Sequence, residues 1–380
     1  MKKKELLNIR ELIKGFDEIE DPRRPGGNFR HELAEVLTII LIGVICGCDT
    51  TDEIADYAEA KEGWLRSFLK LEHGVPSLST FERIMNVIRP SALESVYRKW
   101  VYPYIGGCLG KQIAIDGKTA CGASKGRETL HTVSAWVRED SISLGQIKTE
   151  EKSNEITAIP ELLDTLDIRG GVVTIDAMGC QKEIAKKIVS EEANYVLAVK
   201  KNHPDLYESI DEYYQWAVNN PIEQKHLNVW EEEDRSHGRV CVRRIMVNDE
   251  IEWYDRKKEW TCLRSFIMVE RIREKEEGVS TERAYYISSM EANAKKFASL
   301  IRGHWSVENN LHWMLDVAFR EDDCQTHGVN AAQNLSLLRK VAYALLKNET
   351  SSSASIKRKR KKAAYDNDYT STILRLLNPV

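Results

Sequence analysis

The sequence predicts a mixed α/β protein: an all-helical N-terminal region, a mixed sheet carrying a β-rich insertion, and a helical C-terminal part. Three observations carry this prediction. Apolar residues recur at helical spacing through residues 1–105, the pattern changes to strand-like alternation from Lys111, and strand-like and helix-like runs then follow in the order βββ-α-β-α-β.

Composition sets the bounds. The chain has 380 residues, 42% of them apolar and 30% charged, which is a globular profile with core enough for one large or two ordinary domains. The formal net charge of −4 excludes a whole-molecule basic field, so any nucleic-acid contact must use local basic faces. Eight cysteines are scattered with no C-x-x-C pair, which argues against a zinc ribbon or a disulfide framework and for reducing cytosol. Met1 to Glu5 is lysine-rich, but the segment to Glu20 mixes charged and apolar residues and has no signal-type apolar core. The apolar run Val36 to Cys46 is shorter than the roughly 18 to 20 residues needed to cross a bilayer and reads as a buried helix.

Taken in order, Leu33, Val36, Leu37, Ile40 and Leu41 share one helical face, and Ile84, Val87 and Ile88 another. Between them Gly74 and Pro76 break the chain, and Ser79 with Glu82 has the spacing of a helix cap. Gly106, Gly107 and Gly110 mark a boundary. The runs KQIAIDGKTA, LHTVSAWVRE and ISLGQIKTEE then read as three sequential antiparallel strands. A helix near 154–166, the strand GVVTIDAM, a helix near 181–192 and the strand YVLAVK follow, strands that alternate with helices and so join in parallel. Among mixed sheets this order matches the ribonuclease-H-like fold. Residues 224–290 alternate again and read as a β-rich insertion; helical patterns return over 293–319 and 331–346. The expected organisation is therefore 1–105 helical, 106–223 first part of the α/β core, 224–290 insertion, 291–347 helical remainder of the core, and 348–380 a basic, mobile tail containing KRKRKK.

Three acidic residues need explaining. In IAIDG and VTIDA an aspartate ends an interior strand, so Asp116 and Asp176 stand where mixed sheets place ligands and where an unpaired carboxylate is costly. Each could instead cap the following turn. On a straight helix Glu308 shares an arc with Ile301, His304, Leu311, His312, Leu315 and Phe319, which turns a glutamate inward. It could pair there with Arg302 or a histidine. Together the three form a hard, oxygen-rich pocket suited to Mg2+ or Mn2+, and two such ions can serve the attacking and leaving oxygens of a phosphodiester. A zinc site from His304, Glu308 and His312 is the alternative, although the order is not H-E-x-x-H.

Six segments then carry a family resemblance: DPRR at 21–24 with His31, PSLSTFERI at 76–84, AIDGKTACGA at 114–123, VVTIDAMGCQ at 172–181, VKKNHPDLY at 199–207 and HWSVENNLHWMLDVAFREDD at 304–323. Over residues 10–347 the chain resembles the transposases of the H-repeat-associated insertion-sequence group, a DDE-type branch with a ribonuclease-H-like core. The resemblance implies that Asp116, Asp176 and Glu308 are catalytic and hold two Mg2+ or Mn2+ ions. It implies cleavage of transposon ends and strand transfer into target DNA, with double-stranded DNA as partner, a homodimer on paired ends and a cytoplasmic setting. The helical 1–105 region would bind DNA ends or mediate assembly. An inactive DNA-binding descendant, or a stand-alone metal-dependent nuclease, is the alternative. The chain departs from the group at Lys201, His203 and Cys241, and His304 and Leu315 occupy the Arg and Lys positions of a wider signature, so those DNA contacts are not carried over.

Secondary candidates follow. Lys118, Lys200 and Lys201 could contact phosphates near the site, and His237, Arg239, Arg243 and Arg244 form a basic stretch in the insertion that could bind DNA ends or be a solvated hairpin. His304, Asn309 and His312 could steady Glu308 by hydrogen bonds. Asp316, Glu321, Asp322 and Asp323 make a rival acidic cluster, with Asp316 about 80° from Glu308 on a straight helix. Trp305 and Trp313 read as core. The KRKRKK tail reads as solubilising, with nonspecific DNA binding as the other role.

Overall fold

The apolar stretch of the N-terminal region becomes α1, Leu33–Ile45, in which every residue but Glu35 is buried. Helices α2 (Thr51–Ala60), α3 (Glu62–Leu65), α4 (Leu78–Val87) and α5 (Pro90–Ile105) follow. The computed structural model describes residues 14–23, 29–120, 130–149, 154–236, 239–275, 278–324, 326 and 328–374. The capping box is at Thr50 and Glu53, whose side chains bond each other's backbone N–H. The cap expected at Ser79 moves to Ser77, which stands at the N-cap of α4 with its hydroxyl 3.1 Å from that of Ser79. Helix α5 ends at Gly106, whose φ of 65° is the left-handed conformation that glycine adopts without a side-chain clash.

Nine strands then form one sheet: β1 (Gln112–Ala120), β2 (Leu130–Val137), β3 (Ile142–Thr149), β4 (Val172–Ile175), β5 (Asn194–Val199), β6 (Asn228–Ser236), β7 (Arg239–Asn248), β8 (Ser265–Lys275) and β9 (Gly278–Ser288), in the order β3-β2-β1-β4-β5-β9-β8-β7-β6. As expected, β1, β2 and β3 pair antiparallel, while β1, β4 and β5 run parallel. The insertion extends this same sheet, because β9 pairs antiparallel with β5 and carries β8, β7 and β6 outward. Helices α6 (Glu155–Asp164) and α7 (Lys182–Ser190) connect the parallel strands. A further helix, α8 (Pro204–Ala217), has no counterpart in the sequence reading; Pro204 at its first turn starts it, and Leu206, Ile210, Tyr214 and Ala217 bury one face.

Past the sheet come α9 (Ala294–His304), a π-helical turn over Val307–His312, α10 (Trp313–Phe319) and α11 (Val329–Asn348). Helix α9 covers β6, β7, β1 and β4; α11 packs on α1, α4 and α5 as well as β3, so one apolar core runs from the N-terminal helices to the sheet. Among the described residues no helix is long and apolar enough to cross a membrane.

The expected mobile tail is corrected. Ile356–Tyr365 forms α12 and Asn367–Leu374 forms α13. Within KRKRKK, Lys359 and Arg360 are buried: Arg360 donates to the carbonyl oxygens of Val44 (3.1 Å), Cys48 (3.3 Å) and Ala318, pairs with Asp49 (2.8 Å), and lies over the Phe319 ring. Lys359 Nζ donates to the carbonyl oxygens of Leu346 (2.9 Å) and Glu349 (2.5 Å) at the end of α11, so orphan carbonyls at the ends of α1, α10 and α11 explain why two basic side chains leave water.

Candidate active site

Strand register brings the two aspartates together. Ile115 and Ile175 are the last paired residues of β1 and β4, so Asp116 and Asp176 leave adjacent parallel strands at the same edge, where neighbouring strands lie ~4.8 Å apart. Beyond that point β4 ends while β1 continues along β2 alone, and a cleft opens between them. Asp176 Oδ1 accepts the backbone N–H of Met178 at 3.0 Å and of Gly179 at 3.4 Å, so the turn-capping role and the cleft-facing role coexist in one carboxylate.

The third carboxylate arrives from the π turn. Leu311, His312, Leu315 and Phe319 are buried as the straight-helix arc requires, but Glu308 is exposed. The wider turn rotates Glu308 off the buried stripe and toward the cleft; π turns recur at functional sites for this kind of re-aiming. Asp116, Asp176 and Glu308 line one cavity of about 480 Å3. Burial, followed by the Glu308 and Asp176 charges, pushes the Asp116 carboxyl up to about 7.

None of the three carboxylates makes an ion pair with lysine or arginine among the described residues; Asp116 has only His312 Nδ1, 3.5 Å from its Oδ2. Burial pushes the His312 imidazole down to about 3, so it stays neutral and cannot cancel the charge. The pocket thus holds uncompensated carboxylate oxygens, the donor type that hard divalent ions prefer. As they stand, no three His, Cys, Asp or Glu side chains among the described residues are gathered into a metal-ligand group. Two of the carboxylates are fixed by strand ends, whereas Glu308 has a long, exposed side chain with rotamer freedom.

Cationic side chains line the same cavity. Lys200 and Lys201, both exposed at the end of β5, do so with Arg271 of β8 and with Arg283 of β9, whose Nε donates to Glu270 Oε1 at 3.0 Å. The two arginines went unnoticed in the sequence, where they sit inside alternating strands with no motif around them. So did Glu155 at the start of α6, whose Oε1 lies 2.8 Å from His131 Nε2, while His131 Nδ1 lies 2.6 Å from the Thr119 hydroxyl. A Cβ at Gly117 would come within 2.2 Å of Glu155 Oε1, so glycine after Asp116 lets this carboxylate approach the strand.

Several expected roles change. Lys118 is 9% exposed, with its Nζ 2.6 Å from Asp316, 3.2 Å from Asp322 and 3.6 Å from Glu321, so it neutralises the rival acidic cluster and does not face DNA. His304 contacts the Thr174 hydroxyl at 3.1 Å, His312 contacts Asp116, and Asn309 donates to the Trp305 carbonyl at 3.1 Å; none of them bonds Glu308. Arg243 pairs with Glu232 and Arg244 with Glu231 across β6 and β7, so this basic stretch is largely neutralised. His237 lies outside the described residues, as does the side chain of Arg239. Trp305 and Trp313, expected in the core, are 46% and 53% exposed beside the cavity helix.

Comparison with known proteins bears on the family of the chain. Residues 109–345 match the family model described as "Transposase DDE domain", and residues 13–101 match the one described as "DDE_Tnp_1-associated". The chain is 37% identical over 375 residues to "Putative transposase YncI" of Escherichia coli O157:H7, covering 97% of this chain and 95% of that protein. It is 36% identical over 378 residues to "H repeat-associated putative transposase YhhI" of Escherichia coli (strain K12), covering 97% of this chain and 98% of that one.

Proposed function

Because the chain belongs to the transposase DDE-domain family, we propose that it cuts the ends of its own DNA element and joins them to target DNA, with Asp116, Asp176 and Glu308 as catalytic carboxylates holding two Mg2+ or Mn2+ ions. The observation that carries this reading is the cavity lined both by all three carboxylates, none of them ion-paired with lysine or arginine among the described residues, and by Lys200, Lys201 and Arg271. The sheet order β3-β2-β1-β4-β5, with β1 antiparallel to β2 and parallel to β4, supports a ribonuclease-H-like core.

In the first step a water oxygen bonds to the phosphorus at the element end, the bond from phosphorus to the 3′ oxygen breaks, and a free 3′-hydroxyl results. In the second, that 3′ oxygen attacks a target phosphorus and displaces the target's own 3′ oxygen. The bound ions would lower the pKa of the attacking oxygen and stabilise the leaving one. Asp116 and Asp176, at strand ends, and Glu308, on the π turn, would hold the ions. Lys200, Lys201 and Arg271 hold the phosphates flanking the reacting bond, without help from Lys118. By analogy alone, the helices of residues 1–105 recognise the ends or assemble a homodimer on paired ends, in the cytoplasm.

The test uses purified protein, Mg2+ or Mn2+, and duplex DNA carrying the repeats that flank the gene. Nicked ends and joined products are expected from the unaltered chain, and DNA binding without either product from Asp116→Ala, Asp176→Ala and Glu308→Ala. Cutting that persists under chelation sinks the metal mechanism; a chain that binds ends and never cuts them is the inactive descendant instead.

A further inference from the structure

Beside the catalytic cavity runs a second groove, of about 370 Å3, lined by Arg243, Arg271, Arg302, Trp305 and Asn309 over an apolar floor from β7, β8 and α9. Arg271, Ile301 and Trp305 line both, so the groove is continuous with the cavity. One carboxylate stands against it. Glu232, on edge strand β6, accepts from Arg243 Nη1 at 3.0 Å and from Arg302 Nη2 with the same Oε1 atom.

The Glu232–Arg243 contact alone is an ordinary cross-strand ion pair, since the two residues are register partners. Its equivalent one step along, Glu231 with Arg244, has no helix arginine attached among the described residues, and Arg244 turns instead to a second carboxylate, Glu270, at 3.5 Å. Arg302 changes the balance: it reaches in from α9, so two guanidinium groups converge on one carboxylate and leave a net positive charge. Further along the groove, Arg271 Nε is buried with no hydrogen-bond partner, a donor that ordinary packing would not leave unused. Two converging guanidinium groups and a spare donor match the several oxygens of a phosphodiester better than a single carboxylate does.

We propose that this groove binds the DNA backbone leaving the catalytic cavity, and that Glu232 occupies a phosphate position between Arg243 and Arg302 until DNA displaces it. The proposal rests on the transposase reading. Displacement exchanges N–H to carboxylate bonds for N–H to phosphate bonds, and the half-buried edge position of Glu232 lets it swing into water. The carboxylate thereby weakens binding to stray DNA, which must compete with it, and yields to DNA already anchored in the cavity.

The experiment measures affinity of the full chain for a labelled duplex carrying the flanking repeats, across a salt series, with thermal midpoints as a folding control. Glu232→Gln removes the competing charge and is expected to tighten binding about threefold to tenfold at low salt. Arg302→Ala is expected to weaken it, to reduce the slope of log affinity against log salt by about one, and to abolish the gain from Glu232→Gln in the double variant. Unchanged or weaker binding by a folded Glu232→Gln overturns the proposal; if that variant fails to fold, an unchanged salt slope in Arg302→Ala overturns it instead. These failures leave the transposase reading intact as long as the unaltered chain binds and cuts. A chain that neither binds nor cuts brings down the reading itself.

Discussion

Two acidic clusters meet the outer half of β1, and they have been treated in opposite ways. Among the described residues Asp116 faces Asp176 and Glu308 with no lysine or arginine bonded to any of them, while two residues further along, on the same face of the strand, Lys118 draws in Asp316, Glu321 and Asp322. Both clusters were candidates on sequence. A carboxylate group that has its own buried cation is part of the architecture; one left to repel itself is the candidate for a ligand.

The largest expected effect breaks the comparison most directly. Asp116→Ala, Asp176→Ala or Glu308→Ala should lower cutting by about a thousandfold or more, whereas Asp316→Asn or Asp322→Asn should change it by less than about tenfold, as read by cleavage of end-bearing DNA. Comparable losses from both sets would merge the clusters into one site. Next in size is Lys118→Met, which keeps the bulk and removes the cation. It should destabilise the fold by about 2 kcal/mol, allowing for solvent around Asp316 and Asp322, measured by urea unfolding. A neutral outcome would show that Lys118 is not the counter-charge.

Metal and pH sharpen the comparison further. Mn2+ should raise the thermal midpoint of the unaltered chain and not that of Asp116→Asn, with the gain shrinking as pH falls through about 7, where the Asp116 carboxyl takes up a proton. The folded carboxyl keeps its proton up to about 7, and an unfolded aspartate releases it near ~4. The metal-free fold therefore binds the extra proton in that window and loses stability as pH rises through it. Glu94, also pushed up to about 7 by burial, acts in the same direction, and His312, pushed down to about 3, in the opposite one. The quantity to follow is thus the difference between the unaltered chain and Asp116→Asn, which should narrow from pH 8 to pH 5. The smallest effect is at the edge of the paired cluster: Asp323, paired with exposed Arg320, should change stability by under about 0.5 kcal/mol on substitution with asparagine.

Sequence reading reached the parts governed by local pattern. Apolar runs ending in aspartate singled out Asp116 and Asp176, which the fold sets at the ends of adjacent strands, and period-two alternation anticipated strands β6 to β9. Glu308 was singled out by resemblance and misplaced by geometry, because a π turn leaves no mark in residue spacing. The fate of Lys118 was illegible for a different reason: its partner Asp316 is 198 residues away, and only the packing of α10 against β1 joins them. The tail misled because KRKRKK resembles a solvated charge run, while its fate depended on carbonyls left open at the ends of α1 and α10.

That buried Arg360 has a consequence for how copies of such a gene decay. It ties the N-terminal helices to the end of the helix that follows Glu308, through the Val44, Cys48 and Ala318 carbonyls and Asp49. A frameshift or stop codon just ahead of Ile356 would leave all three carboxylates encoded while stripping those carbonyls of their donor and Phe319 of its cover. A gene could then be silenced at its far end and still look intact at every position where inspection for catalytic residues would begin.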